Sequence, residues 1–322
     1  GAVAAIMGYF NKVSFHKMID EVANNIKSTA GAILILLMVG ALAGTWMVSG
    51  IIPSMIYYGL QILSPAIFLP ATLIICSVIS IATGSSWTTS ATVGIALIGI
   101  GGALGFDLGM VAGAVISGAY FGDKLSPMSD TTNLAPAMAG TDLFTHIKYM
   151  TLTTIPTYII TLILFIVLGL SVDVTGDANT DDLLNSITAS FNVTPWLFLV
   201  PVIVIGLIVK KTEPLVALLV GTLLAGIFAI IFQPEIVTQI TKADSLTFKS
   251  AYKGVMQAIT TEVIVPTENK TLADLFTSGG MAKMLPTIWL ILCAMVFGGI
   301  MDAIGALARI SESLLKLAHT TF

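Results

Sequence analysis

Eleven positions of this chain, 123 to 133, hold Asp123, Lys124, Ser126, Ser129, Asp130, Thr131, Thr132 and Asn133. They lie in the segment Gly118-Ala-Tyr-Phe-Gly-Asp-Lys-Leu-Ser-Pro-Met-Ser-Asp-Thr-Thr-Asn-Leu-Ala-Pro136, interrupted by Pro127 and closed by Pro136. Asp130 with Ser129, Thr131, Thr132 and Asn133 supplies one charge and many neutral oxygens, a suitable cage for one monovalent cation. A carboxylate in a dehydrated cavity favours its neutral form, so it can hold a proton when the cation leaves. A single group of this kind can therefore exchange sodium for protons, with Asp130 the first choice and Asp123 the second. Lys124 reads as a balance for either aspartate. The alternative is an exposed loop in which Asp123 and Lys124 meet water.

A second segment competes for the site. Gly84-Ser-Ser-Trp-Thr-Thr-Ser-Ala-Thr92 places Ser85, Ser86, Thr88, Thr89, Ser90 and Thr92 within nine residues. Hydroxyl and backbone oxygens suit hard cations, and free N–H groups at a helix start suit anions. The plainer alternative is a solvated turn whose Ser and Thr cap helix ends, with Trp87 as an interfacial anchor. Asp302, at the end of an uncharged run, is either a second titrating, proton-coupling group or an interfacial residue. Glu213 before Pro214 reads as a helix opening, and Asp107, His16 and His146 as solvated ends. Cys76 and Cys293 lie in apolar runs without a CxxC partner and read as buried, unreactive thiols. No phosphate-binding glycine loop with Lys, no HExxH and no GxGD is present. ATP-driven pumping and enzyme activity have no support, and no cofactor is expected.

The composition says what must position these residues. The chain is 56% hydrophobic and 10% charged, with a mean hydropathy of +0.97, whereas soluble domains average about 25% charged. From Ser28 to Phe106 there is no ionisable Asp, Glu, Lys, Arg or His, room for several spans of roughly 20 residues. The fold class is therefore all-α and polytopic, with the lipid bilayer as partner. A net charge of −4 without a basic run excludes nucleic acid. Polar backbone broken by Gly and Pro survives at membrane depth only inside protein or beside a water-filled cavity, and ionisable residues there mark ion pathways.

Residues 1–10 read as the tail of a span and 11–29 as an amphipathic connector. A span covers 30–63, interrupted by Gly40, Gly44, Gly50 and Pro53. A hairpin covers 66–105, with 84–92 at its tip; the charge pattern leaves two full spans open. A broken helix covers 108–141, 142–150 read as interfacial, and spans follow at 151–171, 195–209, 214–233 and 284–303. The acidic loop 172–192 contains Asp173, Asp177, Asp181 and Asp182 and no basic residue. The placement of Lys and Arg puts it outside, with 11–29 and 210–213 cytoplasmic. Sliding the chain by 255 residues pairs Leu37 with Leu292, Gly44 with Gly299, Gly50 with Gly305 and Leu60 with Leu315. Residues 1–170 then form a first repeat and 193–322 the start of a second, inverted one, and such repeats build sites at their interface.

Residues 118–150, GAYFGDKLSPMSDTTNLAPAMAGTDLFTHIKYM, together with 44–65 and 84–101, resemble the NhaC-type sodium:proton antiporters. The resemblance implies a secondary transporter of the cell (inner) membrane that exchanges sodium for protons by alternating access. It also implies inverted repeats, each with a re-entrant hairpin and a broken helix, and a homodimer. Some members of that family exchange small carboxylates, importing malate with protons while sodium and lactate leave. Carried onto this chain, Ser85 to Thr92 would be the hairpin tip and Ser129 to Asn133 the unwound break. Family members are longer, so the second repeat would continue beyond Phe322. A passive channel or a non-transporting membrane component is the expectation from a different class.

Overall fold

Lipid forces a backbone to satisfy its own hydrogen bonds, and this chain does so almost wholly with helices. The computed structural model describes residues 1–127, 129, 132, 135–136, 141–171, 180–210, 212–267 and 276–317. Among the described residues, five helices are long and apolar enough to cross a membrane: Phe15–Val48, Pro65–Thr83, Leu143–Ser171, Pro214–Phe232 and Met281–Ala303. The protein is an all-α, multi-pass membrane protein. Its one strand pairing among these residues is antiparallel, Val263 with Ser278 and Ile264 with Thr277.

The chain divides into two compact units, residues 1–37 with 283–322, and residues 38–282. In the first unit, α1 (Ala2–Phe10), the start of α2 (Phe15–Val48) and the helix Leu285–Ala303 share a small core of Ala4, Met18, Ile300 and Ala303. A Cβ at Gly299 would come within 2.6 Å of the Val22 backbone, so a glycine is what lets these helices meet.

The predicted boundary between connector and span, near residue 30, carries no break. Helix α2 runs through it because neither Lys27 nor Ser28 stops a helix as Pro does. The interruption comes at Gly50, whose φ of 80° is open to glycine and strained for other residues. There α2 ends and α3 (Ile51–Ile62) begins, with Pro53 in the first turn, where a missing N–H costs nothing. Residue 305, the partner of Gly50 in the 255-residue slide, is likewise a glycine, with φ 69°. It separates the helix ending at Ala303 from the one at Ala306–Leu317.

The second unit holds the proposed hairpin and the polar segment. Its first arm is α4 (Pro65–Thr83). Its second arm is helical from Ser86 to Ala103 in three pieces: α5 (Ser86–Thr89), a π-helical turn (Ser90–Gly94) and α6 (Ile95–Ala103). Helix α7 (Leu108–Leu125) packs against α4, and α8 (Leu143–Ser171) contacts both. Gly118 and Gly122, one turn apart on α7, sit against the α4 backbone. A Cβ at Gly118 would fall on the Leu73 carbonyl oxygen, and one at Gly122 would lie 2.6 Å from Ser77 O and Ile81 N. Small residues four apart are how membrane helices approach this closely. Ser80 then donates its hydroxyl to Ala119 O across the contact.

Helix α8 exposes Ile159, Ile160, Ile163, Leu164 and Val167, as a lipid-facing helix should, since bilayer and protein core are equally apolar. The same fact corrects the reading of the two thiols. Cys76 is buried, but Cys293 is exposed. An apolar run signals an apolar neighbour, and lipid serves as well as protein. Within 172–192, residues Thr180–Ser190 are helical, while 172–179 lie outside the described residues.

Candidate functional site

The turn between α4 and α5 is built by two residues. Gly84, at φ 67°, closes α4, and its N–H donates to Ser80 O over 2.8 Å, the left-handed C-terminal stop that glycine favours. Ser85 is extended and caps α5: its hydroxyl accepts from Thr88 N at 3.3 Å and from Thr88 Oγ1 at 3.0 Å. The bland expectation for these hydroxyls, helix capping, is thus met at Ser85. Ser86, the next residue, is buried, and its hydroxyl reaches out of the turn to donate to Asp123 Oδ2 at 2.9 Å. The hairpin tip and the polar segment, 37 residues apart in sequence, therefore meet at a carboxylate.

Two further tip hydroxyls send their protons to the backbone. Thr89 donates to Ser85 O at 2.9 Å and Thr92 to Thr88 O at 2.8 Å, and Thr83 Oγ1 lies 3.4 Å from Thr89 Oγ1. A hydroxyl whose proton is so engaged offers lone pairs to its surroundings, the polarity a cation needs. Thr88, Thr89 and Thr92 are all buried; Ser90 is half-buried and opens the π-helical turn. Single π turns recur at functional sites. A Cβ at Gly94, where the turn closes, would lie 2.7 Å from Val115 Cγ1, so α7 packs directly on it.

Asp123 is half-buried, and Lys124 is exposed in the last turn of α7, where a cation complements the helix dipole. The helix stops at Ser126, which is extended (ψ 125°), as the residue before Pro127 must be. Its buried hydroxyl donates to Ile81 O at 2.8 Å and ties the helix end to α4. Thr132 folds back over that end: its hydroxyl lies 3.0 Å from Asp123 O and 3.1 Å from Lys124 O. Its N–H points to Ser129 Oγ at 3.4 Å. Ser129 and Thr132 are both buried.

The structure thus brings Ser85, Ser86, Thr88, Thr89, Ser90, Asp123, Ser129 and Thr132 into one region of the second unit. Asp130, Thr131 and Asn133 lie outside the described residues. Asp302 belongs to the other unit, where it is exposed and accepts a hydrogen bond from Asn25 Nδ2 at 3.4 Å. Among the described residues no cluster of three or more His, Cys, Asp or Glu side chains is suited to a resident metal. One carboxylate with neutral oxygens is the chemistry on offer. Sequence reasoning passed over Ser77 and Ser80 and named Ser126 without giving it a role; all three fix α4 to its neighbours. The signal was present as hydroxyls spaced along one apolar helix and as the Gly118–Gly122 pair.

Comparison with known proteins adds to this geometry. The sequence model of the Na+/H+ antiporter family matches residues 118–322. The malate-2H+/Na+-lactate antiporter of Bacillus subtilis is 38% identical over 319 residues, which are 98% of this chain and 64% of that protein. The Na+/H+ antiporter NhaC of Alkalihalophilus pseudofirmus is 34% identical over 98% of this chain and 65% of its own length. NhaC of Bacillus subtilis is 37% identical over 92% of this chain and 62% of its own. The chain thus spans a little under two thirds of the curated relatives it matches. No solved structure matches it significantly.

Proposed function

This chain belongs to the Na+/H+ antiporter family, and from that premise we propose that it exchanges sodium for protons across the cell membrane by alternating access. Asp123 is the described carboxylate that holds the two cations in turn. The hydrogen bond from Ser86 to Asp123 carries this assignment, because it joins the hairpin tip to the broken segment at the one charge they share. Ser86 holds one carboxylate oxygen. The other, with oxygens of the tip and of Ser129 and Thr132, is available to sodium. Asp130 is the second carboxylate of the same segment, with Thr131 and Asn133 as further neutral ligands. The matching glycine breaks at Gly50 and Gly305 support the inverted repeat. A homodimer, loop 172–192 outside and a proton-coupling role for Asp302 complete the proposal.

The experiment is proton flux in proteoliposomes, followed with a pH-sensitive dye. Proton movement should track an imposed sodium gradient and reverse when the gradient reverses, whereas a passive leak would ignore its direction. Ser86→Ala should raise the sodium concentration for half-maximal exchange about tenfold, since a hydrogen bond to a charged group contributes roughly 1.5 kcal/mol or more. An unchanged sodium dependence in that variant would remove Ser86 from the site. A second reading, co-exchange of small organic acids, is favoured by the similarity to the malate-2H+/Na+-lactate antiporter of Bacillus subtilis.

A further inference from the structure

On the face of α7 next to α8 lies a cavity of about 330 Å³, within the size range of small-molecule sites. Apart from Phe121, its lining residues all carry a hydroxyl or an ammonium group. Lys124 is its one ionisable side chain besides the tyrosines, and it has no carboxylate partner among the described residues. Thr153, Thr157 and Thr161 spend their protons on carbonyls of their own helix, at 3.1, 2.8 and 2.9 Å. Tyr120 and the half-buried Thr154 make no hydrogen bond among the described residues, so beside Lys124 they have protons to give. Tyr158 stacks on Phe121 with ring centroids 3.9 Å apart and shares a hydrogen bond with Ser77, which fixes the floor. Along both helices the lining residues alternate with exposed Ile116, Leu152, Ile155, Ile159 and Ile160, the apolar surface that a bilayer covers.

We propose that this cavity seats the phosphate of an anionic membrane lipid, held by Lys124, Tyr120 and Thr154. An ammonium on a lipid-facing surface is costly until an anion or water meets it, and the anion a bilayer itself supplies is the lipid phosphodiester. That group carries one negative charge and accepts hydrogen bonds without donating any, which matches one ammonium flanked by free hydroxyls. Basic pockets between transmembrane helices recognise anionic headgroups in this way. Phosphatidylcholine and phosphatidylethanolamine add a cation of their own, and the lining has no carboxylate to receive it. The site therefore selects a lipid of net negative charge over a zwitterionic one. Asp123 meets Ser86 and is not among the lining residues, so the lipid leaves the cation site open. The proposal goes beyond sodium–proton exchange and does not depend on it.

The purified protein in detergent is titrated with short-chain phosphatidylglycerol, short-chain phosphatidylcholine and glycerol 3-phosphate. Its unfolding temperature is followed, because a ligand that binds the folded state raises it. Phosphatidylglycerol should stabilise the protein well beyond phosphatidylcholine, and glycerol 3-phosphate should not stabilise it. Lys124→Gln should raise the half-saturating phosphatidylglycerol concentration at least about tenfold, a step of ~1.4 kcal/mol, while Lys124→Arg retains the response. Lys253→Gln removes an exposed lysine from another helix, Phe248–Thr260, and should leave the response unchanged. Should Lys124→Gln fail to fold, Tyr120→Phe is read instead, with an expected weakening of about threefold from one lost donor. An equal response to the two lipids, or an equal response in wild type and variant, overturns the proposal. So does a loss in Lys253→Gln as large as that in Lys124→Gln, which would mark attraction to overall surface charge. Stabilisation by glycerol 3-phosphate to the same extent would make the cavity a site for a soluble phosphate and also overturn it.

Discussion

Asp123→Asn loses sodium-driven proton movement by at least about a hundredfold, equivalent to ~2.7 kcal/mol, while the protein inserts and purifies like wild type. Asparagine has the same shape, and its amide oxygen still accepts the Ser86 proton that the carboxylate accepts at 2.9 Å, so the contact between hairpin and α7 survives. Only the charge and the titrating oxygen are gone. Among the described residues that the hairpin tip and the end of α7 bring together, Asp123 is the one carboxylate, so none of the other described groups there can take over its charge. Proton flux in proteoliposomes checks the result, with Asp130→Asn measured alongside. Exchange retained in Asp123→Asn but lost in Asp130→Asn would move the role to Asp130.

Gly118→Val and Gly122→Val each abolish or severely reduce the yield of folded protein. Their Cβ atoms would meet backbone of α4, Leu73 O in one case and Ser77 O with Ile81 N in the other, and backbone cannot step aside as a flexible side chain can. Overpacking of this kind costs about 1–3 kcal/mol where the surroundings can relax, and a clash with a helix backbone relaxes least. Separation of α4 from α7 would also break the Ser80–Ala119 and Ser126–Ile81 hydrogen bonds that hold the polar segment in place. Gly31→Ala and Gly206→Ala are the controls: nothing lies within 4 Å of either Cβ position, and alanine favours a helix by roughly 1 kcal/mol. Size-exclusion profiles and unfolding temperatures of the four variants should separate into two pairs.

The membrane-spanning character was written in composition, and the helices at Pro214–Phe232 and Leu285–Ala303 lie close to where hydropathy puts them. Punctuation was legible where one residue enforces it, as at Gly50, Gly84, Ser126 before Pro127 and Pro214 after Glu213. What lacked such a residue was not. Helix α2 passes through the polar stretch at Lys27 and Ser28 without a sign in the sequence, because those residues merely tolerate either environment. The π turn at Ser90–Gly94 has no enforcing residue in its own sequence; Gly94, at its end, packs against Val115 of another helix. Both polar segments stood out as hydroxyls in an apolar chain. Spacing alone ranked Asp130 before Asp123; which residue the tip reaches is a question of helix rotation, and the described contact is to Asp123, while Asp130 lies outside the described residues. Exposure of Cys293 was hidden for a related reason: hydropathy cannot tell a lipid neighbour from a protein one.

Sodium binding to the purified protein, titrated at a series of pH values, tests the shared carboxylate most directly. If one group holds either a proton or sodium, the apparent dissociation constant rises about tenfold per unit fall in pH once the proton occupies the site, by simple linkage, and Asp123→Asn shows no sodium binding at any pH. Sodium affinity that stays level across the acidic range, or that persists in Asp123→Asn, would contradict a single carboxylate exchanging the two cations.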